Sequence, residues 1–111
     1  MDAVCIVMTA INHEAAAEAL AQQLVEAKLA ACVQVMPVKS FYIWQGESRR
    51  EAEYLLLVKT RAALYAQVEA FIIANHPYET PEILQVPVIA GAVGYLQWLQ
   101  AATLDSAPPP S

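Results

Sequence analysis

Residues 32–59 read CVQVMPVKSFYIWQGESRREAEYLLLVK, and they decide the fold because they set strand after strand between two helical segments. Cys32 to Met36 (CVQVM) is β-branched and apolar, and Pro37 closes it. Ser40 to Trp44 (SFYIW) is a second such run, stopped by Gln45-Gly46. Tyr54 to Lys59 (YLLLVK) is a third. The polar stretch from Glu47 to Glu53 is too long for a two-residue hairpin, so an open loop is predicted there.

Before this block, Val4 to Thr9 (VCIVMT) reads as a buried strand. Asn12 is the expected N-cap of a first helix, with Glu14 in its first turn. Ala17, Leu20, Ala21, Leu24 and Val25 recur at helical spacing, opposite Glu18, Gln22 and Glu26, and the helix should fade near Leu29. After the block, Thr60 is predicted to cap a second helix with Leu64, Val68, Phe71 and Ile72 on its apolar face. Pro77 should end it, because the residue before a proline is pushed out of helical conformation. Ile83 to Val88 (ILQVPV) is a further strand, placed by Pro87 on a sheet edge or beside a bulge. Gly91 and Gly94 precede a short helix carrying Leu96, Trp98 and Leu99. The proline-rich tail 106–111 is expected to be disordered, leaving 1–105 as a single domain. The order β-α-β-β-α-β, with a short C-terminal strand or helix, is the α/β (α+β) split-βαβ sandwich, or ferredoxin-like fold. Both helices then cover one sheet face and leave the other bare.

Apolar residues make up 58% of the 111, above the roughly 45–50% of soluble domains. A body this small exposes about a third of its unfolded surface even when folded, so the surplus needs a partner. No apolar run approaches the roughly 18 residues of a membrane helix. A subunit interface is therefore expected, since obligate interfaces resemble a core cut in half. The net charge is −5 with six Lys and Arg residues in no stripe, which argues against nucleic-acid binding. Cys5 and Cys32 lie far apart in apolar runs and read as free core thiols. Met1-Asp2-Ala3 has no basic n-region and leads straight into a strand, so a cytoplasmic location is expected.

The segments Leu29-Ala30-Ala31-Cys32, Tyr42-x-Trp44-x-Gly46, Lys59-Thr60, His76-Pro77-Tyr78-Glu79-x-Pro81-Glu82 and Tyr95-Leu96-x-Trp98-Leu99 form an ordered set. In that order and spacing the chain resembles the CutA family of divalent-cation-tolerance proteins, from about Cys5 to about Leu99. The resemblance implies a ferredoxin-like subunit, a homotrimer similar to the PII signalling proteins, and a role in the response to divalent metal ions, copper above all. In some family members copper is assigned to a cysteine at the end of the first strand and two adjacent histidines before Pro-Tyr. The matching positions here are Met8, Asn75 and His76.

Three classes of site follow. For a metal, His76 offers an imidazole suited to copper, with Met8 a soft thioether, Asn75 a weak oxygen, and Glu79 and Cys32 as further donors. The expectation is weak binding of copper or another divalent cation as the only cofactor. The plainer reading of His76 is a helix-terminal residue satisfying carbonyls. For a small molecule between subunits, Tyr42, Trp44, Tyr78 and Trp98 offer flat walls, and Lys59 and Glu82 charges of opposite sign that could pair. For a protein partner, the Glu47–Glu53 segment with Arg49 and Arg50 is the contact feature. No Gly-x-Ser-x-Gly, no cysteine with a local base and no phosphate-cradling glycine loop is present, so the sequence leans against an enzyme and assigns no catalytic residue.

Overall fold

The two runs read separately as Cys32–Met36 and Ser40–Trp44 are one strand in the computed structural model, which describes residues 3–105. The predicted tail lies outside the described residues. In chain order the elements are β1 (Val4–Ile11), α1 (Glu14–Glu26), β2 (Cys32–Trp44), β3 (Glu47–Arg61), a 3-10 turn (Ala62–Leu64), α2 (Tyr65–Asn75), β4 (Leu84–Val88) and α3 (Val93–Ala101). The sheet order is β2-β3-β1-β4 and every pairing is antiparallel. This is the ferredoxin-like arrangement. Both proline-bearing strands, β2 with Pro37 and β4 with Pro87, lie at the sheet's edges, where a missing N–H breaks no inner ladder.

The expected open loop is a strand instead. Glu47–Glu53 forms the first half of β3 and pairs back on β2 from Trp44↔Glu47 to Val38↔Glu53. Only Gln45 and Gly46 remain as the turn, with φ of 52° and 78°, the positive values a type I′ hairpin turn requires. The charged side chains of Glu47–Glu53 hid the strand because most of them face solvent. Beyond Tyr54, which pairs with Ile11, no third strand among the described residues lies beside the β2–β3 ribbon.

Register fixes the two faces of the sheet. Val7, Leu56 and Val58 point to α1 and α2 and pack with Leu20, Leu24, Val68 and Ile72 in the buried core. Ile6, Met8, Leu55 and Leu57 point the other way and stay half-buried, with Met36 and Leu84 exposed beside them. α3 covers one end of that second face. Arg61 Nε donates to Thr103 Oγ1 at 3.1 Å, and the Leu104 N–H donates to the Lys28 carbonyl at 3.0 Å.

Caps differ from the sequence reading by one or a few residues. His13, not Asn12, caps α1, its Nδ1 accepting the Ala16 N–H at 3.2 Å. Thr60 does not cap α2; it ends inside β3, fully buried, and its hydroxyl donates to the Leu29 carbonyl at 2.6 Å. α2 stops at Asn75, with His76 extended before Pro77, as the proline demands.

Candidate functional site

The β2–β3 register sets Ser40 opposite Glu51 and Tyr42 opposite Arg49, with Trp44 and Glu53 on the same side of the ribbon. These side chains floor a cleft of about 740 Å³. Its wall is the loop after α2, which contributes Tyr78, Glu79, Thr80 and Glu82. A volume of this size suits a small organic ligand.

His76 builds the wall. Its Nε2 lies 2.9 Å from the Ala10 carbonyl, and its Nδ1 accepts the Tyr78 N–H at 3.1 Å. An imidazole that accepts on Nδ1 must carry its hydrogen on Nε2, where it donates to Ala10. Burial lowers the pKa of the ring, reinforcing the neutral form. The Tyr78 ring meets His76 edge-on at 4.7 Å between centroids. Its hydroxyl then reaches across the cleft to donate to Glu53 Oε2 at 2.7 Å. Glu53 is only 7% exposed although it is a carboxylate. Burial, followed by the Glu53 carboxylate, holds the Tyr78 phenol well above its ordinary pKa. Burial and then the Glu53 charge raise that of Glu82.

Four of the six residues expected in a small-molecule cleft meet here: Tyr42, Trp44, Tyr78 and Glu82. Lys59 and Trp98 do not. Lys59 lies six residues from Glu53 along β3, about 20 Å at strand rise, so the expected Lys59–Glu82 pair does not form. Its Nζ sits 5.8 Å from the ring centre of Tyr95, which in turn packs on Trp98 at 5.5 Å. The residues sequence reading missed are Glu51 and Glu53, which were assigned to a loop. The alternation Arg49-x-Glu51-x-Glu53 was the available signal for one face of a strand.

The metal candidates are dispersed. Both ring nitrogens of His76 are engaged, and the Asn75 amide donates to the Phe71 carbonyl at 2.8 Å, closing the helix end. Met8 stands in the sheet between Leu57 and Leu84. Cys32 pairs with Lys59 in the row of Ile6, about 13 Å of strand rise from Ala10. Among the described residues, no three His, Cys, Asp or Glu side chains converge on a point that could hold one ion. The Met8, Asn75 and His76 set therefore does not fit a resident copper. Both cysteines are free, Cys5 buried and Cys32 half-buried.

Residues 5–102 match the family described as CutA1 divalent ion tolerance protein. The chain belongs to the CutA1 family. The divalent-cation tolerance protein CutA of Thermus thermophilus is 40% identical over 99 residues, covering 88% of this chain and 96% of its own. Chloroplastic CutA 1 of rice is 36% identical over 91% of this chain, and this chain spans only 58% of that protein's length. The crystal structure of rice CutA1 superposes with a TM-score of 0.92 at 35% identity, covering 95% of this chain and 97% of that one. Among the described residues no helix is long and apolar enough to cross a membrane.

Proposed function

We propose that this CutA1-family protein acts in the divalent-cation response as a cytoplasmic homotrimer that senses a small molecule, held in the cleft between the β2–β3 ribbon and the loop after α2. The observation that carries this reading is His76. The side chain best suited to copper has both nitrogens committed to the cleft wall, where it orients Tyr78 toward Glu53. Copper-type binding is then weak and belongs to the surface.

The trimer rests on apolar exposure. A two-stranded ribbon is marginal by itself, yet here it carries Phe41 at 70% and Ile43 at 75% exposure. The open sheet face adds Met36 and Leu84. Packing against two further copies covers both and places the cleft near the subunit boundary, as in PII-like trimers. Light scattering on the tag-free protein should give three times the 12.1 kDa chain mass. A thermal-shift screen of small metabolites against wild type and Trp44→Ala tests the cleft. At least one compound should stabilise wild type and lose its effect in the variant. A monomer, or stabilisation indifferent to Trp44, contradicts the reading.

A further inference from the structure

We infer that the ligand of this cleft is an organic cation, an ammonium or guanidinium group carried on an apolar body. The inference rests on the small-molecule reading above and adds the ligand's charge and shape. Four carboxylates, Glu51, Glu53, Glu79 and Glu82, line the cleft against one guanidinium, that of Arg49. Arg49 is already shared with Glu47, 3.5 Å away. The lysine that sequence reading placed here, Lys59, sits at the other end of β3 beside Tyr95. The lining contributed by one chain therefore carries excess negative charge, within a chain of net charge −5, which repels anions such as phosphates and nucleotides.

Shape separates an organic cation from a metal ion. A divalent ion needs several donors within about 2–2.6 Å of one point, and no three His, Cys, Asp or Glu side chains among the described residues converge in that way. The carboxylates instead sit around a volume of about 740 Å³, which a single ion cannot span. Three aromatic rings, Tyr42, Trp44 and Tyr78, share the lining with Ala10, Asn12, Ser40 and Thr80. Aromatic faces attract cations through the ring quadrupole, and more strongly where water is excluded. Glu53 adds the electrostatic reason for occupancy. It is almost fully buried, it accepts a hydrogen bond from the Tyr78 hydroxyl, and its charge bears on Glu82. A bound cation relieves that repulsion between carboxylates.

The test is calorimetric titration of the full-length protein with three probes of one shape: phenethylammonium, 2-phenylethanol and 3-phenylpropanoate. The ammonium should bind about tenfold more tightly than the alcohol, and the anion should give no heat. Raising the salt from about 50 to 500 mM should weaken the ammonium severalfold and leave the alcohol unchanged. Glu51→Gln and Glu82→Gln, each checked for an intact circular-dichroism spectrum, should each reduce that preference. Equal binding of ammonium and alcohol, or a preference for the anion, overturns the inference and leaves the cleft as a small-molecule site. If no probe binds and no compound in the metabolite screen depends on Trp44, both readings fall.

Discussion

Tyr78 donates its hydroxyl hydrogen to Glu53 Oε2 across 2.7 Å, fastening the loop after α2 to β3. The bond joins residues 25 positions apart and holds the cleft's wall to its floor. Tyr78→Phe leaves a 7%-exposed carboxylate without this donor. Because a hydrogen bond to a charged group contributes about 1.5–3 kcal/mol, urea unfolding should show a loss near the lower end, with the slope of the transition unchanged. Loss of the metabolite response in the same variant would place the cleft wall in ligand binding.

The acid limb of stability should carry a His76 signature. Burial sets the folded pKa of His76 below its ordinary 6.5. Its contribution is therefore complete above about pH 6.5 and is lost as pH falls through the lower folded value. Glu82 acts in the opposite sense. Its folded pKa is raised above 4.5, so its contribution is present below that value and disappears as pH rises through the raised one. Glu82 faces solvent, so its share is small. Unfolding free energy measured from pH 7.5 to 5 should decline in wild type and decline less in His76→Gln. Parallel curves would contradict the buried neutral imidazole.

Thr9 is completely buried on the helix-facing side of β1, and its Oγ1 has no hydrogen-bond partner. An unpaired buried hydroxyl costs about 1–3 kcal/mol, and valine has nearly the same shape and suits a strand. Thr9→Val should raise the unfolding free energy by about 1 kcal/mol. A loss of stability would mean that the hydroxyl has a partner, such as an ordered water.

Lys28 follows the C-cap of α1 with φ of 58°. The Lys28 N–H donates to the Val25 carbonyl and the Leu29 N–H to that of Leu24, the paired bonds of a Schellman close. Glycine is the residue this geometry favours, because lysine's Cβ crowds the neighbouring backbone. Lys28→Gly should stabilise the fold by about 0.5–1 kcal/mol in thermal or urea melts, with Lys28→Val destabilising it.

The strand order was legible because β1, the two ends of the β2–β3 pair and β4 are written in β-branched and apolar residues, and Pro77 marks the end of α2. The hairpin's outer half was not. Glu47, Arg49 and Glu51 alternate on a largely exposed ribbon, so no apolar face announces a strand, and Gln45-Gly46 reads as a stop although it is a turn. That error moved Glu51 and Glu53 out of the site. Asn12 and Thr60 miss their expected capping roles for a related reason: a cap is decided by backbone conformation, and at the start of α1 it is His13 whose extended backbone and Nδ1 take that place. Tyr42, Trp44, Tyr78 and Glu82, which stand in recognisable segments, line one cleft. Lys59 stands in such a segment too, but six residues of extended chain carry it out of reach.

The central claim is that His76 is a structural residue of an organic-ligand cleft and not a copper ligand. A calorimetric Cu(II) titration of the tag-free, full-length protein at physiological salt, run beside His76→Ala, tests it most directly. The account predicts weak binding, about 10 µM or poorer, with the same affinity in both proteins. Stoichiometric sub-micromolar binding that disappears in the variant would contradict it and return the site to the metal.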